Sequence, residues 1–407
     1  MSNRQPQTIQ GRIASVIDND QCSGCGACTA LVPGLKMTLN QEGFLRPDFS
    51  SAESTEADQR RDDLCSFEQI CPGLVVANPP ALEKSDPYFG RYVSAWIGWA
   101  ADEEIRTAGS SGGVITALST WLVETSRAES VSGVAASPKS PSRAVPVRIL
   151  SREDAIKAAG SRYQPVAGCG PYMSDGALIA KPCEAAAIQA YRKRNGSCAS
   201  AGPVISFFCA GTPSQLATEK LVSTYAISTD EVVSLRYRGD GWPGNFRVVD
   251  SSGRVGEMSY HESWGQVLGR EVQYRCKLCV DGTGESADIA VGDYWYSDSS
   301  GDPIFNDAPG RSVVIARTEY GASLVREAIS EGLIIATPIE DLSTLHSIQQ
   351  HQVHRRKTLY ARLAGRRLAG IKVPSYPGSG IWRFAVRYPV ASLRAFAGSY
   401  LRSRRRR

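Results

Sequence analysis

Eleven cysteines fall in this 407-residue chain, and their spacing is the first sign of chemistry. Cys22, Cys25 and Cys28 stand in the stretch CSGCGACTALVP. The pattern opens a bacterial iron–sulfur run, C-x2-C-x2-C-x3-C-P. Pro33 closes the run as expected, but the residue before it is Val32 where a fourth thiolate should be. The missing ligand must then come from elsewhere in the chain. Cys71 is the candidate, because Pro72 follows it and Leu64, Phe67 and Ile70 recur before it at helical spacing. Thr55 with Asp58 reads as the capping box that opens that helix. Cys65 lies about 120° round the helix from Cys71 and reads as a plain helix cysteine, the reserve ligand.

A second set is more scattered. Cys276 and Cys279 form another C-x2-C. The short strand ALIA runs into Lys181-Pro182-Cys183 and the helix CEAAAIQAYRKRN, with Pro182 in a favoured first-turn position and Asn195-Gly196 closing it. The strand VISFF runs into Cys209 and the helix SQLATEKLV. If the two strands are parallel neighbours, Cys183 and Cys209 emerge at the carboxyl edge of one sheet, where α/β folds place their sites. Helix starts also favour thiolates. This assigns eight ligands and leaves Cys65, Cys169 and Cys198 as ordinary residues.

On spacing alone, four thiolates suit zinc or a [4Fe–4S] cluster. C-x2-C-x2-C favours the cluster, since three close ligands wrap a cubane while zinc sites usually draw on two separated pairs. The second set does not discriminate, so a zinc-stapled ligand-binding α/β protein stays open. A disulfide framework is the alternative for an oxidising compartment. No Ser/His/Asp or paired-carboxylate constellation stands out. Three of the four histidines, His346, His351 and His354, fall just before a basic segment, and no acid or base is named.

These residues need a scaffold, and the chain has the means to build one. It is 42% hydrophobic and 21% charged, with 38 Gly and 22 Pro, the composition of an ordinary globular protein of two or three domains. No stretch approaches the apolar length of a membrane span. The start, MSNRQPQTIQGR, has no secretory features, which points to the cytoplasm. Residues 1–80 read as a small iron–sulfur module, 88–170 and 171–335 as the two parts of an α/β body, and 342–407 as a basic, partly helical tail. The fold class is therefore mixed α/β. In the body, YVSAWIGWA reads as a strand, AGSSGG as a loop and VITALSTWLVET as a helix with Ile115, Leu118, Trp121 and Leu122 on one face. A glycine and hydroxyl loop before a helix is either an anion seat or a tight turn. RYRGDGWPGN can lie along a cofactor or form a surface turn. ESADIAVGDYW ends a strand in a polar turn, and GRSVVIARTEYGASLVREAISEGL reads as strand, turn and helix with Gly332 as C-cap.

The net charge of +5 hides an asymmetry. No Asp or Glu follows Asp341, but 15 Lys and Arg do, so the preceding 31 basic residues face all 41 acidic ones. Near the end, Val390, Leu393, Phe396 and Tyr400 recur as an apolar stripe beside Arg394 and Arg402. Such a segment can lie on an anionic membrane, which would place the protein at the inner membrane face, or meet an acidic protein. It can equally be a solvated tail. No nucleic-acid recognition motif accompanies the charge.

Eight stretches occurring in order resemble the coenzyme F420 hydrogenase/dehydrogenase beta-subunit family of iron–sulfur flavoproteins, relatives of which include 7-hydroxymethyl chlorophyll a reductase. They are CSGCGAC, AGSSGGVITAL, AGSRYQP, AKPCEAAA, SFFCAG, RYRGDGWPG, RCKLCVDGTGESADIAVGDYW and GRSVVIART, covering about residues 20–335. The resemblance implies FAD beside two [4Fe–4S] clusters, with a deazaflavin coenzyme or ferredoxin as electron partner. It implies a ferredoxin-like N-terminal module and a flavin-binding body. It also implies flavin contacts at Ser110, Ser111, Gly112, Gly113, Ser161, Arg162, Tyr163 and Lys181, and at Arg238, Gly239, Gly241, Trp242 and Gly244. Cys183, Cys209, Cys276 and Cys279 match cluster positions. Val32 departs from the ferredoxin pattern and leaves the first site dependent on Cys71.

Overall fold

The computed structural model describes residues 8–52, 61–170, 173, 176–197, 201–298 and 303–405. Thr55, Asp58 and Cys198 lie outside them. The chain opens with α1 (Ile9–Asp18), whose first turn is capped by Thr8: its hydroxyl accepts the Gly11 N–H at 3.1 Å. The three-cysteine loop and a short 3-10 turn (Ala27–Ala30) lead to the hairpin of β1 (Lys36–Leu39) and β2 (Leu45–Asp48), then to α2 (Arg61–Ile70). Ile9, Ile13, Val16, Leu35 and Phe67 pack as one apolar cluster, and Val32 is part of it. The absent fourth thiolate is thus a core side chain.

A second hairpin, β3 (Lys84–Asp86) and β4 (Gly90–Tyr92), precedes β5 (Ser94–Ala100), α3 (Glu103–Ala108) and α4 (Val114–Glu124). Next come β6 (Val131–Ala136), β7 (Ala144–Ile149), α5 (Arg152–Ala158), β8 (Ala177–Ala180), α6 (Pro182–Asn195), β9 (Val204–Phe207) and α7 (Gln215–Ser223). A separate antiparallel sheet holds β10 (Val232–Arg236), β11 (Phe246–Asp250) and β12 (Val255–Met258). A π-helical segment (His261–Val267) and the short α8 (Tyr274–Lys277) return the chain to β13 (Ile289–Asp293). The remaining body elements are β14 (Tyr296–Ser297), β15 (Pro303–Ile304), β16 (Ser312–Ala316), α9 (Glu319–Ser330) and β17 (Ile334–Ile339).

Eight strands join in one mixed sheet of order β17-β5-β16-β13-β9-β8-β6-β7. The central strands β6, β8, β9 and β13 are parallel, and antiparallel pairs flank them on both sides. The sheet draws strands from both sides of residue 170, so the two expected parts of the body share a single core. β16 is buried along its whole length, and its unbroken apolar run SVVIA reflects cover on both faces. Alternation along it assigns the faces. Val314 meets α4 and α9 through Leu118, Trp121, Leu122 and Val325, while Val313 and Ile315 meet Phe89, Trp242, Leu345 and Val353. The predicted α4 face is largely as observed, with Ile115 half-buried at its edge. At the end of α9, Glu331 is the cap and Gly332 is the left-handed residue after it, φ +75°. The expected C-cap therefore moves by one position, because a glycine without a Cβ serves best just beyond the cap.

The basic C-terminal segment is ordered helix packed on the body. It holds α10 (Leu345–Ile348), α11 (Gln350–Leu368), α12 (Trp382–Arg387) and α13 (Pro389–Arg405). Arg356 on α11 reaches the Val280 carbonyl at 2.6 Å and Glu285 at 2.9 Å. The Tyr376 hydroxyl donates to the Leu278 carbonyl at 2.5 Å. α11 and the segment after it thereby strap the loop around Cys276 and Cys279.

Candidate functional site

The three-cysteine loop folds back on itself through Gly24 and Gly26, at φ +71° and +84°. A left-handed turn at these places favours glycine. Cys71 follows α2 directly, its N–H donating to the Phe67 carbonyl at 2.9 Å. Cys22, Cys25, Cys28 and Cys71 line one cavity. Burial raises the thiol pKa of Cys28, and the neighbouring Cys25, Cys22 and Cys71 push it the same way. Cys65 is exposed on α2.

β8 and β9 are parallel neighbours, with Ala180 opposite Ser206. Cys183 in the first turn of α6 and Cys209 beyond β9 therefore leave the same sheet edge. Cys209 donates its N–H to the Gly282 carbonyl at 2.8 Å, which holds it beside the 276–282 loop. The Cys276 sulfur accepts the Thr212 N–H at 3.3 Å, and the Cys279 thiol approaches the Asp281 carbonyl at 2.8 Å. Cys209 feels both Cys276 and Cys279, and Cys183 feels Cys279. Burial pushes the Cys209 thiol up to about 12 and raises Cys183 well above its ordinary value. The expected helix-start depression is thus overridden, because desolvation outweighs it at these depths. Buried thiols of this kind ionise when the charge of a metal centre offsets the burial.

None of the ten described cysteines is in a disulfide. Among the described residues no three His, Cys, Asp or Glu side chains close on a single-ion position. The two sets are all-thiol, which suits zinc or an iron–sulfur cluster.

Two residues link the sets. Cys169 is ordinary by its spacing, yet its N–H donates to the Cys25 carbonyl at 2.9 Å. Its thiol hydrogen-bonds the Cys25 sulfur, pulling the Cys25 pKa down to about 7. Cys169 also feels Cys183, so it lies between the sets. Arg275 is buried, donates to the Pro72 carbonyl at 2.6 Å, and acts on Cys22 as well as Cys279, Cys183 and Cys276. Neither has a spacing signal; the fold alone brings them there. Lys181 is held by Glu184 at 2.9 Å and the Val166 carbonyl at 2.7 Å, beside Cys183 and Cys209.

The glycine-rich loops meet at the start of α4. Gly113 is its N-cap, and no side chain caps the helix. Ser110 accepts the Ser161 N–H at 2.5 Å, Ser111 bonds Ser312 at 2.8 Å, and the Gly112 N–H also reaches Ser312. Gly241 donates to the Thr107 carbonyl at 3.2 Å. Side chains at Gly239 and Gly244 would strike backbone: a Cβ on Gly239 would lie 2.9 Å from the Ala108 oxygen, and one on Gly244 would lie 2.8 Å from the Gly239 oxygen. Arg238 turns inward to form a two-pronged pair with Asp293 at 2.9 and 3.0 Å, and Trp242 packs against Trp295 at 4.8 Å with the rings tilted by 36°. Tyr163 packs on Trp264 at 4.7 Å. Around this corner cations crowd. Burial and Arg236 lower the pKa of Arg162, and the buried Nε atoms of Arg162 and Arg311 have no hydrogen-bond partner among the described residues. An uncapped helix start beside surplus guanidinium suits a phosphate-bearing cofactor.

Trp264 and Cys276 both line a cavity of about 310 Å³. Arg270, Lys277, Arg355 and Arg362 line it with His351 and His354, and no carboxylate does. Four of these side chains come from α11, which by sequence reads as tail; the acid-free run with three histidines is the available signal.

The profile of "Coenzyme F420 hydrogenase/dehydrogenase, beta subunit N-term" matches residues 95–169, and that of the subunit's C terminus matches residues 174–342. The chain belongs to the coenzyme F420 hydrogenase/dehydrogenase beta-subunit family. A coenzyme F420 hydrogenase subunit beta of Methanococcus voltae is 25% identical over 299 residues, 70% of this chain and 99% of that protein. An F420-dependent formate dehydrogenase 1 subunit beta of Methanococcus maripaludis is 28% identical over 249 residues, 58% of this chain and 59% of that one. A chain of the F420-reducing [NiFe] hydrogenase complex from Methanosarcina barkeri shares the fold: TM-score 0.54, 23% identity, 72% of this chain and 99% of that chain. These relatives of the family are subunits of F420-linked redox enzymes, and the family's match ends at residue 342, before α10.

Proposed function

We propose that this protein is an oxidoreductase that couples hydride transfer at FAD to one-electron transfer through two [4Fe–4S] clusters. Reduced deazaflavin (F420), ferredoxin or an organic substrate would be its redox partner. When bound, the flavin would exchange a hydride with the partner and the clusters would carry single electrons. The carrying observation is the gathering of eight cysteines, from 22 to 279 in the chain, into two all-thiol sets joined through Cys169.

In this reading Cys22, Cys25, Cys28 and Cys71 hold one cluster, and Cys183, Cys209, Cys276 and Cys279 the other. Arg275 favours the reduced form of both, as a buried cation near each. The start of α4 with Ser110–Gly113 and Arg162 holds the phosphates of FAD. The cationic cavity beside Cys276 admits the anionic partner and keeps it within reach of the second set. A second reading, a non-catalytic electron-transfer subunit, is favoured by the names of the relatives, which are subunits of larger enzymes.

Anaerobic purification with an absorbance spectrum and iron, sulfide and flavin analysis tests the cofactors: about eight iron atoms and one FAD per chain are expected. A pale protein lacking sulfide and flavin rejects the reading. Reduction of the isolated chain by reduced F420 or ferredoxin separates the enzyme from the bare subunit.

A further inference from the structure

The C-terminal helix is turned inside out. The sequence stripe Val390, Leu393, Phe396 and Tyr400 is the apolar side that a globular helix would normally bury. Instead α13 buries Ser392, Ser399 and Ser403 against α11. The seam is close: a Cβ on Gly365 of α11 would lie 2.6 Å from the Phe396 carbonyl oxygen, and the Ser399 hydroxyl donates to the Arg362 carbonyl at 2.9 Å. Small residues permit this approach, and larger ones would separate the helices. Phe396 and Tyr400 end up half-buried at the edge of the seam.

The opposite side is left to solvent. Val390, Leu393 and Leu401 of α13, with Trp382 and Val386 of α12, are between 54 and 72% exposed. Arg394, Arg402, Arg404 and Arg405 are interleaved with them on α13, and Arg383 and Arg387 on α12. No carboxylate follows Asp341 to neutralise these cations locally. At about 1.5 Å per residue the 17-residue α13 is about 25 Å long, and no helix among the described residues is long and apolar enough to cross a membrane. The segment therefore has the make-up of an in-plane helix: exposed Val and Leu, a Trp, and flanking Arg.

We propose that the outer face of α12 and α13 docks the protein on an anionic lipid surface, with Val386, Val390, Leu393 and Leu401 entering the acyl boundary and the arginines meeting lipid phosphates. Charge complementarity selects this occupant: apolar side chains set among six arginines, with no acid, match a negatively charged bilayer. The inference is independent of the redox reading, since it uses only residues beyond the family's match.

Flotation of the full-length protein with vesicles tests it. Vesicles of phosphatidylcholine mixed with phosphatidylglycerol should carry the protein, and vesicles of phosphatidylcholine alone should carry far less. Arg394→Gln with Arg402→Gln should weaken binding at least tenfold, at about fivefold for each arginine near the surface. Leu393→Gln with Leu401→Gln should weaken it by about tenfold or more, and added salt should leave part of the wild-type binding intact. All four positions are solvent-facing, so circular dichroism and iron content should be unchanged. No binding to the anionic vesicles, equal binding to neutral ones, or no effect of the leucine pair overturns the proposal. So does a lipid-free dimer abolished by the leucine pair, which gives the face to a second copy. Salt-sensitive capture of ferredoxin by this face without vesicle binding gives it to an acidic protein and overturns it equally.

Discussion

The two cysteine sets are built in opposite ways. In the first, three thiols lie within residues 22–28, and the loop itself shapes the site through left-handed Gly24 and Gly26. In the second, the thiols spread from residue 183 to 279, and the register of β8 against β9, with the strap of α11, brings them together. The first is a local structure pinned by one distant residue, Cys71. The second is a product of the sheet. A local loop tolerates changes elsewhere in the fold, whereas a set held by strand register fails with the strands.

Removing ligands makes the sharpest break. Cys209→Ala should leave about four of about eight iron atoms, and Cys71→Ala should remove the other half; iron analysis of both variants and of their combination checks this. If either single change empties both sets, the two are one structural unit. Backbone changes come next. Gly26→Val, at φ +84° and with its Cβ 3.0 Å from that of Ala167, should cost about 1–2 kcal/mol locally and lower the iron of the first set alone. Ser206→Ala removes the hydroxyl that donates to the Ala180 carbonyl at 2.8 Å between β8 and β9. It should cost about 1 kcal/mol in chemical denaturation and, if iron falls at all, lower only the second set.

Charge changes should sharpen the comparison further. Arg275→Met takes a cation away from both sets, so both midpoint potentials should fall in a redox titration, because the more negative reduced form loses its stabiliser. Lys181→Met should lower only the second. The smallest expected effect is that of Cys169→Ala. Iron should stay at about eight atoms, while the first potential falls slightly as Cys25 loses its thiol hydrogen bond. Cys65→Ser on the exposed side of α2 should change neither reading.

Much of this site is legible in the order of residues. The C-x2-C-x2-C spacing names three thiols, and the helical period before Cys71 points to the fourth. ALIA and VISFF each run into a helix or loop carrying cysteine at its start, so their parallel pairing follows the ordinary rule for α/β corners. The roles of Cys169 and Arg275 are not legible there, because they depend on contacts between segments far apart in the chain. The charge run after Asp341 suggests a tail, but α11 packs on the body through Gln352 and Arg356, and Tyr376 in the segment after it does the same.

By itself the sequence determined several helices and strands of the body and most of the candidate thiols, since hydrophobic period, helix caps and cysteine spacing are local properties. Only the tertiary structure decided which thiols share a cavity, that Val32 is a core side chain, and which side of α13 faces out. The physical reason is that burial and helix–helix approach are set by what lies across the interface. There a serine can be buried and a leucine exposed, against the preference that either carries alone.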